Sequence, residues 1–285
     1  VSGPDRWPDG GPANTQDGRP ANTQDGGSAS PQDSRPAALI DRAIADGVIP
    51  GAVLAAGRAT AEPLLLHVAG DAQRDDAAVR PMTADTVFDL ASLTKVVATL
   101  PCLLHLIAAG QVGLDDPVTR YLDARRLGAR GKDRVTVRHL LTHTSGLPDH
   151  RKYYEYLHDP AEVRAAALAE ALTSTPGSSF CYSDIGFILA GELAAAVAGA
   201  DLAKLTAAWV CAPLGLTTTR FGPLDPSGPI AATERVQGQA KVGVVHDENA
   251  EALGGIAGHA GLFGTVTDLA AYAAAWAGPA DALAA

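Results

Sequence analysis

Apolar and polar positions alternate along this chain in patterns that predict its elements before any chemistry is considered. Between Pro36 and Gly47 the apolar residues Leu39, Ile40 and Ile44, with Val48 beyond them, recur at helical spacing, and Gly47 is placed to stop the helix. Pro50-Gly51 reads as a turn. Residues 52–56 and 64–68 are short apolar runs on either side of a polar connection and predict a hairpin. Residues 87–90 form a brief extended piece leading into a helix that starts near Ser92. That helix is apolar on nearly every side, as a central, buried one would be. Pro101 is expected to kink it and Gly110 to end it. Asp159-Pro160-Ala161-Glu162 opens another helix with a cap, a proline at the first helical position and a glutamate three beyond the cap. Ser183 or Asp184 can cap a helix running to Gly199. Thr265-Val266-Thr267-Asp268 can open a last one through Ala275. Strands early and helices later predict an α+β fold.

The first 35 residues break this pattern. Residues 12–18 read PANTQDG, residues 20–26 repeat that string letter for letter, and Ser30-Pro31-Gln32-Asp33 is a decayed third copy. Almost nothing there is apolar beyond Trp7. Such a segment cannot bury enough surface to offset its ordering entropy. Residues 1–35 are therefore expected to be a disordered leader, and 36–285 the globular part.

Composition narrows the classes. The chain has 285 residues, 47% of them hydrophobic, enough for one large domain or two smaller ones. A net charge of −10 argues against a nucleic-acid partner. No apolar run reaches the length of a membrane span; the longest, 96–109, is short and carries Pro101 and His105. Cys102, Cys181 and Cys211 are odd in number and widely spaced, so they read neither as a disulfide framework nor as a zinc site. The chain opens at Val1 with no signal sequence, which leaves the compartment open, cytoplasmic or exported.

The candidate chemistry starts at Ser92-Leu93-Thr94-Lys95. It is the only serine that precedes a lysine by three residues, in a chain with five lysines. Positions i and i+3 share a helix face, so hydroxyl and amine can meet. A lysine within an apolar run is costly to bury unless something uses it, and removal from water favours a neutral amine able to act as a base. A serine beside such a base is an activated nucleophile. Taken alone, the motif also describes a capped helix start whose lysine reaches for water.

A second candidate is Tyr182, which precedes an apolar helix in Phe180-Cys181-Tyr182-Ser183-Asp184. A tyrosine in that loop can donate or relay a proton; alone it is also an ordinary surface tyrosine beside a cap. His139 and His143 stand at i, i+4, but no glutamate follows His139 as a metal motif requires. His246-Asp247-Glu248-Asn249 with His259 reads as a loop of satisfied polar contacts rather than a zinc site. Ser145 lacks the preceding glycine of a nucleophile elbow.

Several blocks together carry a likeness. Residues 135–148, VTVRHLLTHTSGLP, Leu114-Asp115-Asp116-Pro117-Val118 with Tyr121-Leu122, Tyr182-Ser183-Asp184, Pro213-Leu214-Gly215-Leu216, and residues 254–268, GGIAGHAGLFGTVTD, occur in order with Ser92–Lys95. In these blocks the chain resembles the serine β-lactamase and penicillin-binding-protein superfamily, on the branch of class C β-lactamases, DD-peptidases and related esterases, over about residues 36–280. The resemblance implies a β-lactamase/transpeptidase-like fold, a mixed sheet with flanking helices and a mostly helical subdomain. It implies a two-step acyl transfer on an amide, β-lactam or ester carbonyl of a small molecule or peptide. Ser92 would be acylated, Lys95 would take its proton, Tyr182 would share the proton network, and the Ser92 N–H would be one oxyanion donor. Asp184 stands where asparagine is usual in a Tyr-x-Asn box and would hold Lys95 or the substrate. That anion favours a charged Lys95 and leans away from efficient β-lactam turnover. No cofactor and no metal is implied.

One departure is larger. The family's third box, Lys-Thr-Gly or His-x-Gly, lies on a strand lining the site. His259-Ala260-Gly261 imitates it, but about 77 residues after Tyr182, and leads into the last helix. The expectation is that the true third box and the last sheet strands lie beyond the sequence, so that the chain is C-terminally truncated. A non-catalytic or inactive penicillin-binding-like domain is the alternative to a working hydrolase.

Overall fold

The computed structural model describes residues 35–58, 65–75, 78–128 and 131–278. The segment expected to be a disordered leader, residues 1–35, lies outside the described residues except for Arg35. Helix α1, Arg35–Ala45, packs through Ala37 on a sheet of β1 (Gly51–Ala56), β2 (Leu65–Arg74) and β3 (Val79–Pro81), while Leu39 and Val48 of the expected apolar stripe are exposed, and Asp41 Oδ1 meets His67 Nε2 at 2.7 Å to tie helix to sheet. Strands β1 and β2 form the expected hairpin, antiparallel with Val53 opposite Val68. Gly70 must be glycine: its φ is +77°, and a Cβ there would lie 2.3 Å from the Pro50 carbonyl oxygen. Strand β2 runs longer than its apolar stretch predicts and continues past an irregularity between Asp71 and Gln73 to pair with β3.

The extended piece before Ser92 is β4, Phe88–Asp89. After it the chain turns sharply through Ala91, at φ +44°, whose N–H is held by Asp89 Oδ1 at 2.8 Å. The helix that follows is not simply kinked by Pro101. Residues Lys95–Thr99 form a π-helical turn, with the Leu100 N–H donating to the Lys95 carbonyl, and an α-helix, α2, then runs Leu100–Ala108. Pro101 has no N–H and would clash with a carbonyl four residues back. The widened turn places it instead in the first turn of α2, where its missing donor costs nothing. Gly110, at φ +67°, follows the helix end as expected.

Helix α3, Val137–Leu141, opens with a reciprocal cap between Thr136 and His139. Helix α4, Pro160–Ala169, is capped by Asp159 through the Ala161 N–H at 2.6 Å. Helix α5, Asp184–Ala198, is capped by Ser183 and stopped by Gly199 at φ +67°. Short helices α6 (Leu202–Thr206) and α7 (Ala212–Leu214) follow, joined by a second π-helical turn, and then β5 (Arg220–Phe221) and a small hairpin of β6 (Arg235–Val236) and β7 (Gln239–Ala240). Helix α8, Glu248–Ala252, strand β8, Leu262–Gly264, and helix α9, Val266–Ala277, complete the described chain.

One apolar core joins α2, α5 and α6, with Leu103, Leu106, Ile188, Leu189 and Leu193 all buried. Helix α5 is apolar nearly all round because it runs through the middle of that core. Strand β8 is the centre of a second sheet, ordered β4-β8-β5. The segment after His259 therefore does not lead straight into the last helix: a three-residue strand stands between them and pairs with β4 directly before Ser92. The architecture is α+β. Among the described residues no single helix is long and apolar enough to cross a membrane.

Candidate active site

Ser92 is exposed at the start of the helix, and Lys95, one turn on, is 2% exposed beneath it. The Lys95 Nζ donates to Ser92 Oγ at 2.9 Å and to the His259 carbonyl at 3.1 Å, and meets Asp184 Oδ1 at 2.7 Å. A lysine ammonium has three N–H donors, and here each has an acceptor. That is how a charged group survives in an apolar helix. The Ser92 N–H makes no hydrogen bond among the described residues and lies at a helix N-terminus, where backbone dipoles favour negative charge.

Tyr182 and Asp184 arrive together because Ser183, between them, is the α5 cap. Its hydroxyl accepts from the Gly186 N–H at 2.9 Å and donates to the Pro148 carbonyl at 2.6 Å. Asp184 thus occupies the first turn of α5, and Tyr182 projects from the loop. The Lys95 Nζ lies 4.9 Å from the Tyr182 ring centroid and 5.9 Å from that of Phe187. The structure brings Ser92, Lys95, Tyr182 and Asp184 into one cluster.

His143 was not among the sequence candidates, and it belongs here. Its ring stacks on Tyr182, and its Nδ1 accepts from the Ser183 N–H at 2.9 Å. Burial, and then the Lys95 charge, hold its pKa below the ordinary histidine value against the opposing pull of Asp184. His139, four residues earlier, is occupied in the α3 cap, so the two rings do different work. Among the described residues no three histidine, cysteine, aspartate or glutamate side chains are grouped to hold a metal ion.

His259 reaches the cluster through its backbone. Its imidazole is 1% exposed and hydrogen-bonded through Nε2 to Asp247 Oδ1 at 2.8 Å, so the carbonyl rather than the ring faces Lys95. Asp247 also caps α8 by accepting from the Ala250 N–H at 2.8 Å. Burial alone would raise the Asp247 pKa, but the hydrogen bond and charge of His259, together with the Ala250 N–H and the nearby His150, hold it down at about 2. No sequence signal marks a backbone carbonyl as a site group; the glycines around His259 are the nearest trace. His150 is a further neighbour, its Nδ1 lying 3.9 Å from Asp184 Oδ2.

Residues 36–285 match the family described as Beta-lactamase, and the chain belongs to that family of β-lactamase and DD-carboxypeptidase-like hydrolases. Over 218 residues it is 33% identical to the Escherichia coli (strain K12) protein named "Putative D-alanyl-D-alanine carboxypeptidase", covering 66% of this chain and 50% of that protein. The chain thus spans about half the length of the curated relatives it matches. Its fold is shared with the octameric penicillin-binding protein homologue from Pyrococcus abyssi, at a TM-score of 0.68 and 24% identity over 84% of this chain and 55% of that one. It is also similar to EstCE1, a hydrolase with promiscuous acyltransferase activity, at a TM-score of 0.63 and 26% identity over 82% and 69% of the two chains.

Proposed function

We propose that this chain carries the acyl-transfer centre of a serine hydrolase acting on ester, amide or β-lactam carbonyls. Ser92 is the nucleophile and forms the acyl-enzyme, Lys95 receives its proton, and Tyr182 relays a proton to the leaving group. The Ser92 N–H is one donor to the developing oxyanion. The observation that carries this reading is the 2.9 Å contact between the exposed Ser92 hydroxyl and the buried Lys95 amine.

The three acceptors around Lys95 set the order of proton steps. An ammonium cannot accept a proton. Lys95 has to give up one of its own before the Ser92 proton can move to it, and the Asp184 carboxylate, 2.7 Å away, holds the charged form and makes that step harder. Ser92 then attacks the carbonyl, and the proton returns to the departing group through Lys95 and Tyr182. A carboxylate there makes the base available at a cost, which favours reactive acyl groups such as activated esters. The same three acceptors favour a second reading, a domain that binds a substrate without turnover because Lys95 stays charged.

A fluorophosphonate and a fluorescent penicillin separate the two. Labelling of the wild type and not of Ser92→Ala supports the nucleophile, and steady release of p-nitrophenol from an ester supports turnover. Absence of labelling by both probes at high concentration overturns the catalytic reading.

A further inference from the structure

We infer that Asp247 and His259 form a positioning pair for Lys95: the carboxylate fixes the imidazole so that the carbonyl of the same residue stays against the lysine amine. The inference rests on the proposed role of Lys95 and adds to it a residue, Asp247, that does not touch the reacting groups.

Five contacts build the device. Asp247 Oδ1 holds His259 Nε2 at 2.8 Å and the Ala250 N–H at 2.8 Å, so the carboxylate is fixed from both its own helix and the opposite segment. The His259 carbonyl accepts from Lys95 at 3.1 Å. On one side of it the Gly258 carbonyl accepts from Thr99 Oγ1 at 2.7 Å, and on the other the Leu262 N–H donates to Thr94 Oγ1 at 3.1 Å. The segment is thereby stitched to the Ser92 helix at Thr94, Lys95 and Thr99, strand β8 joins its far end to β4 and β5, and the Asp247–His259 bond ties it to α8.

The imidazole itself looks costly for a space-filler. Its Nδ1 is buried without a hydrogen-bond partner, an arrangement that an apolar side chain of similar size would avoid. What the ring supplies in exchange is the directed bond to Asp247, which sets the orientation of its own backbone. A Lys95 that loses the carbonyl can swing towards Asp184 and away from Ser92. A displacement of about 1 Å at a reacting group is worth on the order of 100-fold in rate.

The test uses the full chain with Asp247→Ala, Asp247→Asn and His259→Ala. Asn keeps an oxygen able to accept from His259 and from Ala250; Ala removes it. Under saturating fluorophosphonate, Asp247→Ala should label roughly 10- to 100-fold more slowly with an unchanged half-saturating concentration, and Asp247→Asn should stay within about threefold of wild type. His259→Ala cuts the tether from the other end without touching the α8 cap, and stands in if Asp247→Ala does not fold. A wild-type labelling rate in a folded Asp247→Ala or His259→Ala overturns the inference.

Amide hydrogen exchange supplies a readout that needs no activity. Exchange should quicken in residues 258–264 and 94–99 of Asp247→Ala and remain near wild type in Asp247→Asn. Unchanged exchange in both segments also overturns the inference. A wild type that takes up no probe sinks the hydrolase reading instead, and exchange alone then decides whether the pair holds the segment.

Discussion

The Tyr182 ring lies on the His143 imidazole, with centroids 4.4 Å apart and planes 28° from parallel. The same imidazole accepts the Ser183 N–H through Nδ1 at 2.9 Å. One neutral ring therefore fixes both the tyrosine and the cap that sets Asp184. Neutrality is a requirement, because a protonated Nδ1 could not accept that N–H and would place a second cation near Lys95.

Removing the platform should slow acylation. His143→Ala is expected to lower the fluorophosphonate labelling rate about 10- to 100-fold, with helical circular dichroism retained. His143→Phe keeps an aromatic face but no acceptor, and should fall between the two. Equal rates for all three proteins would show that Tyr182 needs no support.

The pH dependence follows from the same ring. Its pKa in the folded chain lies below the ordinary 6.5, so the unfolded chain binds the proton more readily. The neutral ring's contribution to stability is complete above pH 6.5 and is lost as pH falls through the folded value. The urea midpoint of wild type relative to His143→Phe should be flat above that pH and decline below it. A proton NMR titration of the His143 ring checks the midpoint directly.

Asp247 gives a second window at lower pH. Its folded pKa is about 2 against an ordinary 3.8, so the stabilisation is present above pH 3.8 and disappears as pH falls towards 2. Comparing acid unfolding of wild type and Asp247→Asn should show the two curves converging across that interval. Parallel curves would mean that the carboxylate charge is not what His259 holds.

Asp184→Asn tests the carboxylate on Lys95. The amide oxygen can still accept from the amine, but the negative charge is gone. Hydrolysis of a β-lactam relative to a p-nitrophenyl ester should rise, since the base no longer sits in an ion pair. Asp184→Ala, which leaves a lysine with a side-chain exposure of 3% short of one charged acceptor, should cost about 2 kcal/mol in urea unfolding.

Gly258→Ala tests the close approach behind the site. A Cβ there would lie 2.0 Å from the Phe187 carbonyl oxygen, a backbone atom of α5 that cannot swing aside. Forcing that overlap should destabilise the fold by about 3 kcal/mol or more and disturb the Thr99 contact, read as a lowered urea midpoint.

Local signals were the legible ones. Asp159 before Pro160, Ser183 before α5 and Thr265 before α9 each announce a helix within four residues, because a cap and the N–H it satisfies are sequence neighbours. The Ser92–Lys95 pair was readable for the same reason. Strands β4, β5 and β8 are two or three residues long, too short for any period, and their pairing joins Phe88 to Gly264 across most of the chain. The His143–Ser183 bond spans 40 residues and the Lys95–His259 bond 164, so neither leaves a pattern in a window of the sequence. Pro101 marked an irregularity but not its kind.

The π-helical turn at Lys95–Thr99 has a consequence for which changes this helix can tolerate. On a regular α-helix the fifth residue along points about 140° away from the first. Thr99 is the fifth residue after Thr94, and the wider turn swings it back, so that both threonines face the same strip of backbone. Deleting one residue between 95 and 99 would remove the extra residue that the wide turn accommodates and restore ordinary winding, with the helix beyond it still in phase with the 258–262 backbone. A one-residue deletion there should therefore be better tolerated than a one-residue insertion, which would turn the helix beyond it by about 100°.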